Sequence, residues 1–275
     1  MSYLQVAVSL VTAIVAVMGV VVSFISISMA RQESRAKRED AQRDRFTYAI
    51  EHLKDESLAI RMGALFELKK LGLDSPDYMR DIVRILSLFI KERIEERELL
   101  KPPKVENGLP KPTDDVFIAC DITALFFKKI RCRASLSYLN AEGVYFHRIN
   151  LQGANLDHAR FDGSILTLAN LEEARFNKAH FDGARLQQAK CKDANAGSAY
   201  FIGADLAAAD FRGANLNDVR LDGADINHTQ FEGAKGLTGK RLLKSKSVKD
   251  AYLDPEIRAE YDRLMAGQDK QQLST

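Results

Sequence analysis

Histidine and carboxylate side chains are the groups in this sequence whose spacing could support metal binding or acid–base chemistry. Four of the five histidines fall between residues 134 and 236. Zinc requires three or four ligands that converge at about 2 Å. In a coil of twenty residues none of these histidines would stack on another, so we predict solvated side chains and no metal site. The four residues are His147, His158, His180 and His228.

The carboxylates have a more regular spacing. Asp162, Asp182 and Asp222 are separated by twenty residues or a multiple of twenty, and each precedes a glycine. Paired carboxylates can catalyse reactions, but aspartate beside a glycine is ordinary turn chemistry. The chain contains no phosphate-binding glycine loop, no HExxH helix and no nucleophile elbow. We therefore predict no enzyme activity, no catalytic residue and no cofactor.

Cysteine usage points to a reducing compartment. Cys120, Cys132 and Cys191 form neither an even set nor a CxxC pair, so a disulfide framework is not indicated. Cys191 replaces a large apolar residue of the repeat, which predicts a small buried side chain.

The aspartate spacing is interrupted at Ile202, and Tyr200 stands two residues before it. An apolar and aromatic spot among cations is typical of a contact with a partner protein. The alternative is a surface apolar residue without a role, which is common in soluble proteins. The predicted partner-binding residues are Arg160, His180, Tyr200, Ile202 and Arg220.

A five-residue period positions all these side chains. A large apolar residue recurs every five residues from Phe146 to Phe231, and it is Leu or Phe except at Cys191, Ala196 and Ile226. A small residue generally stands two positions earlier. Five matches neither the 3.6-residue period of a helix nor the two-residue period of a strand. Each unit must therefore be a short extended piece followed by a turn, and stacked turns form a solenoid.

Glycine adds a ten-residue period to this pattern. It falls two residues after every second apolar centre, whereas the corners in between carry other residue types. Glycine supplies positive φ without steric cost, so we predict two kinds of turn at alternate corners. Where Glu173 and Asp193 replace the glycine, we expect a strained or different corner. The glycines are Gly143, Gly153, Gly163, Gly183, Gly203, Gly213, Gly223 and Gly233.

Segments such as "GANLDHARF", "GADLAAADF" and "GANLNDVRL" resemble the A(D/N)LXX motif of the pentapeptide-repeat family. The resemblance implies a mainly β solenoid over residues 134–236, a right-handed four-sided β-helix with twenty residues per coil. It also implies that Phe161, Phe181 and Phe201 share one interior column. Five coils at about 4.8 Å each make a rod of about 24 Å.

The N-terminal segment predicts a membrane anchor. Ser2 to Ala30 contains no charged residue and exceeds the ~20 apolar residues that cross a bilayer. A cleavable signal peptide is the alternative, but the run is too long and no basic residue precedes it. Basic residues follow from Arg31 onward, which places the N-terminus outside and the remaining chain in the cytoplasm. We therefore predict a single-pass protein of the inner (cell) membrane in contact with lipid.

Small residues in this segment follow a heptad spacing, which lets helix backbones approach closely in lipid. This pattern predicts a homo-oligomer, although small residues are common in membrane helices and a monomeric anchor is the alternative. The predicted association residues are Ser9, Thr12, Ala16, Gly19, Ser23 and Ser26.

The remaining segments indicate helices and a linker. Proline and glycine punctuate residues 101–115, and apolar residues at helical spacing surround them. Five parts are predicted: a transmembrane helix (1–30), a juxtamembrane helix and HEAT-like helical module (31–100), a linker and N-terminal capping helix (101–133), the β-helix (134–236), and a C-terminal helical cap and tail (237–275).

Charge limits the possible functions. Residues 134–236 carry 13 acidic and 10 basic side chains, a net of −3. A DNA mimic of this length would need about fourteen unopposed negative charges, so a nucleic-acid role is disfavoured. We predict a non-enzymatic, membrane-tethered scaffold that binds an unidentified protein. The alternatives are a membrane effector of a bacterial stress or phage-defence system, and a DNA-mimic regulator of a type II topoisomerase.

Overall fold

The computed structural model describes the backbone of residues 3–96 and 111–272, and the side chains of residues 18–96 and 111–267. Helices occupy both ends and a repetitive coil occupies the centre. In chain order the helices are α1 (Tyr3–His52), α2 (Leu58–Asp74), a 3₁₀ turn (Pro76–Tyr78), α3 (Met79–Glu95), α4 (Asp114–Ile130), α5 (Gly239–Leu242) and α6 (Pro255–Gln272).

The predicted membrane localisation is wrong. The charged part of α1 begins at Arg31. Across the part of the chain that the structure describes, no helix is both long enough and apolar enough to span a bilayer. The start of the predicted span, residues 1–17, lies outside the described side chains.

The helical module consists of the end of α1 with α2, α3 and α4. Apolar residues of α3 recur every three or four positions and form one buried face. This face contributes to the same core as Leu65 and Leu68 of α2 and Phe126 of α4. The buried apolar residues of α3 are Met79, Ile82, Val83, Leu86, Phe89, Ile90 and Ile94.

One buried ion pair joins helices that are distant in sequence. Arg61 of α2 is 5% exposed and Asp115 of α4 is 0% exposed. The Arg61 Nε lies 2.5 Å from the Asp115 Oδ2. The Arg61 Nη1 also donates to the carbonyl oxygens of Asp55 and Glu56, at 2.8 Å each. Because its charge is paired with Asp115 and its Nε and Nη1 both donate hydrogen bonds, the guanidinium can remain in the core.

The central coil has four sides. Parallel bridges join residues that are twenty positions apart, from Ser135 with Asn155 to Asn215 with Lys235, and one falls every five residues. Each side contributes one bridged residue before the chain turns. Within residues 3–96 and 111–272, all β pairing consists of isolated bridges, and no ladder of two or more bridges is present. The fold is therefore a β-helix whose strands are reduced to single bridges.

Every corner of the coil adopts the same left-handed conformation. From Tyr138 to Gly233, the residue two positions after each apolar centre has φ between 54° and 69°. The prediction of two corner types is wrong. Glu173 (φ 54°) and Asp193 (φ 56°) match the other corners without glycine. Most corner N–H groups donate to the next coil, as from Glu173 to the carbonyl of Lys192 at 3.0 Å, and this pairing favours the shared conformation.

The interior is filled by stacked side chains. The rings of Phe161, Phe181 and Phe201 form one column with centroids 5.0 Å apart at each step and interplanar angles of 7° and 11°. This confirms the predicted column. Cys191 is fully buried, also as predicted. Burial, followed by the charges of Asp210 and Glu172, raises the pKa of its thiol well above the ordinary value.

Helical segments cover both ends of the coil. At the N-terminal end, the Phe127 ring of α4 packs against Gly153 so closely that a Cβ there would overlap the ring. At the C-terminal end, two further bridges pair Asp225 with Ser247 and Gln230 with Tyr252, so coil pairing continues past residue 236. The N–H of Gly239 then donates to Glu260 of α6 at 2.8 Å, which holds α6 at this end.

Candidate interaction face

All five predicted partner-binding residues lie on one side of the β-helix, which we call the His180 face. It consists of two outward columns. Their side chains point outward because each alternates with a buried alanine or apolar centre. The first column is Asn140, Arg160, His180, Tyr200 and Arg220, and the second is Glu142, Asp162, Asp182, Ile202 and Asp222.

The first column contains a continuous stack of side chains. The rings of His180 and Tyr200 are nearly parallel, at 8°, with centroids 4.4 Å apart. The Arg220 guanidinium lies 5.9 Å from the centroid of the Tyr200 ring. A cation over an aromatic face contributes about 0.5–1 kcal/mol at exposed sites. The three side chains are therefore ordered relative to one another before any partner binds.

Arg160 does not extend this stack. Its Nη2 lies 2.7 Å from the Glu142 Oε1 and 3.4 Å from the Asp162 Oδ2. Both acids belong to the second column. The structure therefore brings together three of the five predicted residues in one stack and places Arg160 in an ion-pair group at the N-terminal end of the face.

Backbone donors hold the aspartates of the second column. The Asp162 Oδ1 accepts a hydrogen bond from the N–H of Asp182 at 3.0 Å, and the Asp182 Oδ1 accepts one from the N–H of Ile202 at 2.9 Å. These bonds link successive coils. Each carboxylate is thereby fixed by its Oδ1, and the Asp162 Oδ2 lies 3.4 Å from Arg160.

Asp222, at the C-terminal end of the column, lies between two cations. Its carboxylate is 3.3 Å from Arg220 and 3.4 Å from Lys244. Burial alone would raise the pKa of Asp222. The hydrogen bonds and charges of Lys244 and Arg220 outweigh that cost and leave the pKa below its ordinary value.

Ile202 is the position where the second column loses its carboxylate. Its side chain is half-buried beside Tyr200, and its N–H keeps the hydrogen bond to Asp182. The backbone therefore continues unchanged while the surface becomes locally apolar. The interruption in the sequence corresponds to an apolar and aromatic spot flanked by charges.

A group that the sequence analysis missed lies on the same face. Ligand atoms of Asp162, His180 and Asp182 all fall within 4.8 Å of one another. A comparison of histidines only with other histidines does not bring these three residues together. The signal that was available is an aspartate two residues after His180, with a second aspartate twenty residues before the first.

The residues of the predicted association pattern are only partly described. Ser9, Thr12 and Ala16 lie outside the described side chains. Gly19, Ser23 and Ser26 are exposed on α1. The Ser23 hydroxyl donates to the carbonyl oxygen of Gly19 at 2.8 Å within the same helix. Helix association through these residues stays a prediction.

A cavity of about 560 Å³ lies in the helical module between α1, α2 and α3. Its walls combine the apolar Leu53 and Phe89 with Arg61 and Arg93. Both arginines face Asp115, at 2.5 Å and 3.9 Å. Since both arginines lie beside an acid of the protein itself, they do not form an anion site.

Comparison with known families identifies the repeats. A family model described as "Pentapeptide repeats (8 copies)" matches residues 133–167, 164–197 and 199–235. The chain has no match among curated proteins.

Several solved structures are similar to this chain. The pentapeptide repeat protein Rfr23 of Cyanothece 51142 is 21% identical over 48% of this chain and 97% of its own, with a TM-score of 0.32. A pentapeptide repeat protein of the Arabidopsis thaliana thylakoid lumen is 28% identical over 40% and 68%, with a TM-score of 0.25. Full-length QnrB1, a plasmid-mediated fluoroquinolone resistance protein, is 15% identical over 47% and 84%, with a TM-score of 0.22. At these scores the similarities carry no further argument.

Proposed function

Because residues 133–235 belong to the pentapeptide-repeat family, we propose that this chain is a non-enzymatic interaction protein whose His180 face binds another protein. The observation that supports this proposal most is the ordered stack of His180, Tyr200 and Arg220 beside Ile202. Tyrosine and arginine are enriched among the residues that dominate binding energy at protein interfaces.

The backbone beneath the stack favours binding because it is already fixed. The N–H of Tyr200 donates to Ala179 at 2.9 Å, and the carbonyl of Tyr200 accepts from Phe181 at 2.8 Å. Both bonds join neighbouring coils. A partner that docks here therefore loses little affinity to ordering of this surface.

The chemistry of the face defines the kind of partner. An apolar and aromatic centre at Tyr200 and Ile202 requires an apolar or aromatic group on the partner. Arg160 and Arg220 stand at opposite ends, and the carboxylates of Asp162 and Asp182 lie between them. A partner with mixed charge complements this arrangement better than a uniformly charged one.

A DNA-mimic function is not favoured by the same face. A mimic presents unopposed negative charge along its length. Here the Asp162 carboxylate lies beside Arg160, and the Asp222 carboxylate lies beside Arg220 and Lys244. The alternative of a membrane effector depended on the spanning helix and is not retained.

Site-specific photocrosslinking in the native host tests the proposal. A photoreactive amino acid at position 202 samples the His180 face. The matched control is position 192, which occupies the equivalent place in its repeat unit on the opposite side of the β-helix and is exposed. We expect a discrete protein adduct from position 202 only, and we expect Tyr200→Ala to abolish it. Identical adducts from both positions would contradict the proposal.

Quantitative binding to the captured partner gives the size of the effect. Tyr200→Ala removes the centre of the stack, so the affinity should fall by at least about 30-fold, as for a residue that dominates an interface. Lys192→Ala should leave the affinity unchanged. Equal affinities of the Tyr200→Ala variant and the unmodified chain would show that the partner binds elsewhere.

A further inference from the structure

We propose that Asp162, His180 and Asp182 form a binding site for one divalent transition-metal ion. We use the ligand distances of Zn²⁺ to judge its geometry. One imidazole nitrogen and one oxygen from each carboxylate lie within 4.8 Å of one another. In the described part of the chain, no other group of three or more histidine, cysteine, aspartate or glutamate side chains comes this close. The inference is independent of the proposed protein partner.

The donor separations suit a metal ion after a small contraction. Zinc binds imidazole nitrogen and carboxylate oxygen at about 2.0–2.2 Å, so neighbouring ligands of a tetrahedral ion lie about 3.4 Å apart. The present upper limit of 4.8 Å requires the donors to close by at most ~1.4 Å around such an ion. Movement on that scale is within the range of side-chain rotation on a fixed backbone.

The three ligands are positioned by interactions with the coils around them. One oxygen of Asp162 accepts from the N–H of Asp182, and one oxygen of Asp182 accepts from the N–H of Ile202. The second oxygen of each carboxylate is the proposed ligand. Stacking on Tyr200 fixes the plane of the His180 ring. Supporting contacts of this kind orient ligands and raise metal affinity.

The mixture of ligands selects the class of metal. Two carboxylates balance the charge of a divalent cation, whereas Mg²⁺ and Ca²⁺ prefer oxygen ligands alone. The imidazole favours zinc, copper, nickel and iron. Three protein ligands leave at least one position for water or for a group from another molecule.

Arg160 is the competitor of the metal in this arrangement. Its Nη2 lies 3.4 Å from the Asp162 Oδ2 and 2.7 Å from the Glu142 Oε1. A guanidinium beside a ligand oxygen repels a second cation. Removal of the Arg160 charge should therefore strengthen metal binding. If the three side chains only stabilised the coil, no such increase would be expected.

Equilibrium dialysis of the full chain without a histidine tag, against Zn²⁺ and against Co²⁺, tests the site. We expect one bound ion per chain, and Co²⁺ provides a visible absorption spectrum. His180→Gln and Asp182→Asn should each weaken binding at least about tenfold. Asparagine at 182 keeps the oxygen that accepts from Ile202, so an unchanged thermal midpoint in chelator will confirm that this variant folds.

His158→Gln is the matched control. His158 also stacks on a tyrosine, Tyr138, at 4.8 Å and 5°, but it lies outside the group of three ligands. It should bind metal like the unmodified chain, and Arg160→Gln should bind more tightly. The proposal is overturned if no stoichiometric ion is bound, or if His158→Gln weakens binding as much as His180→Gln does.

Discussion

The helical module and the β-helix stabilise their interiors in different ways. The β-helix repeats one arrangement every five residues, so each interior side chain meets neighbours in its own coil and in the adjacent coils. The core of the module has no repeat, and the buried pair of Arg61 and Asp115 joins α2 to α4 within it. In a repeat fold, stability is approximately a sum over neighbouring units. Single changes should therefore have their largest effect in the module.

The largest expected effect comes from Asp115→Ala. This change leaves the Arg61 guanidinium buried without its counter-ion and should cost about 3–5 kcal/mol. Urea denaturation followed by circular dichroism will measure the loss. Asp114→Ala is the matched control, because Asp114 is 70% exposed and lies 3.5 Å from Lys111. If the two variants had equal stability, the buried pair would not be a central contact of the module.

The next effect tests the interior of the β-helix. Leu166→Ala removes a fully buried centre and should cost about 3 kcal/mol through lost burial and a residual cavity. Leu168→Ala, at the corner of the same unit, changes a side chain that is 37% exposed. It should alter the free energy of unfolding by less than about 0.5 kcal/mol. Similar losses from both would mean that the corner is packed as tightly as the interior.

Glycine substitutions at two lysines compare a corner residue, Lys178, with Lys192, which stands one residue before the corner at Asp193. Lys178 has φ of 54°, and a residue with a Cβ costs roughly 1–2 kcal/mol in that conformation. Lys178→Gly should therefore stabilise the chain by about 0.5–1 kcal/mol after the entropy of glycine is included. Lys192 has no positive φ, so Lys192→Gly should destabilise the chain by a similar amount. Thermal unfolding will give both signs, and a loss of stability in both variants would contradict the account of the corners.

The interior of the β-helix could be predicted from the sequence because its contacts repeat at a fixed spacing. The five-residue period, together with the twenty-residue coil that the family resemblance implies, was sufficient to place Phe161, Phe181 and Phe201 in one column. The corners could not be predicted from the positions of glycine. Pairing with the next coil imposes the left-handed conformation on Lys178 and Glu173 as it does on the glycines.

Contacts that do not repeat along the chain could not be predicted from the sequence. Arg61 and Asp115 are 54 residues apart, and no period relates them. In the group of Asp162, His180 and Asp182, Asp182 stands two positions after His180, and one coil of twenty residues separates Asp162 from Asp182. Such a group cannot be found by comparing the positions of one residue type alone. The membrane prediction was wrong, since no helix in the described part of the chain is both long enough and apolar enough to span a bilayer.

The smallest expected effect concerns a surface ion pair on the side opposite the His180 face. The Arg212 Nη2 lies 2.7 Å from the Asp210 Oδ2, and its Nε lies 2.9 Å from the Asp210 Oδ1. The hydrogen bond from Arg212 lowers the pKa of Asp210 and outweighs the opposing effect of burial. Arg212 is itself exposed, so solvent screens most of the interaction.

A lowered pKa in the folded state gives this pair a defined pH dependence. The unfolded chain takes up the proton first, near the ordinary aspartate pKa of ~3.9. The stabilisation by Arg212 is therefore fully present above that value and is lost as the pH falls through the lower pKa of the folded state.

Arg212→Ala should reduce the urea midpoint slightly at pH 7, and the difference from the unmodified chain should shrink as the pH falls below about 4. Arg185→Ala removes an exposed arginine from a neighbouring side of the β-helix. Its difference in urea midpoint from the unmodified chain should not shrink in this way. A difference for Arg212→Ala that stays constant down to the lowest pH at which the chain folds would mean that the side chain stabilises the coil by packing rather than through the charge of Asp210.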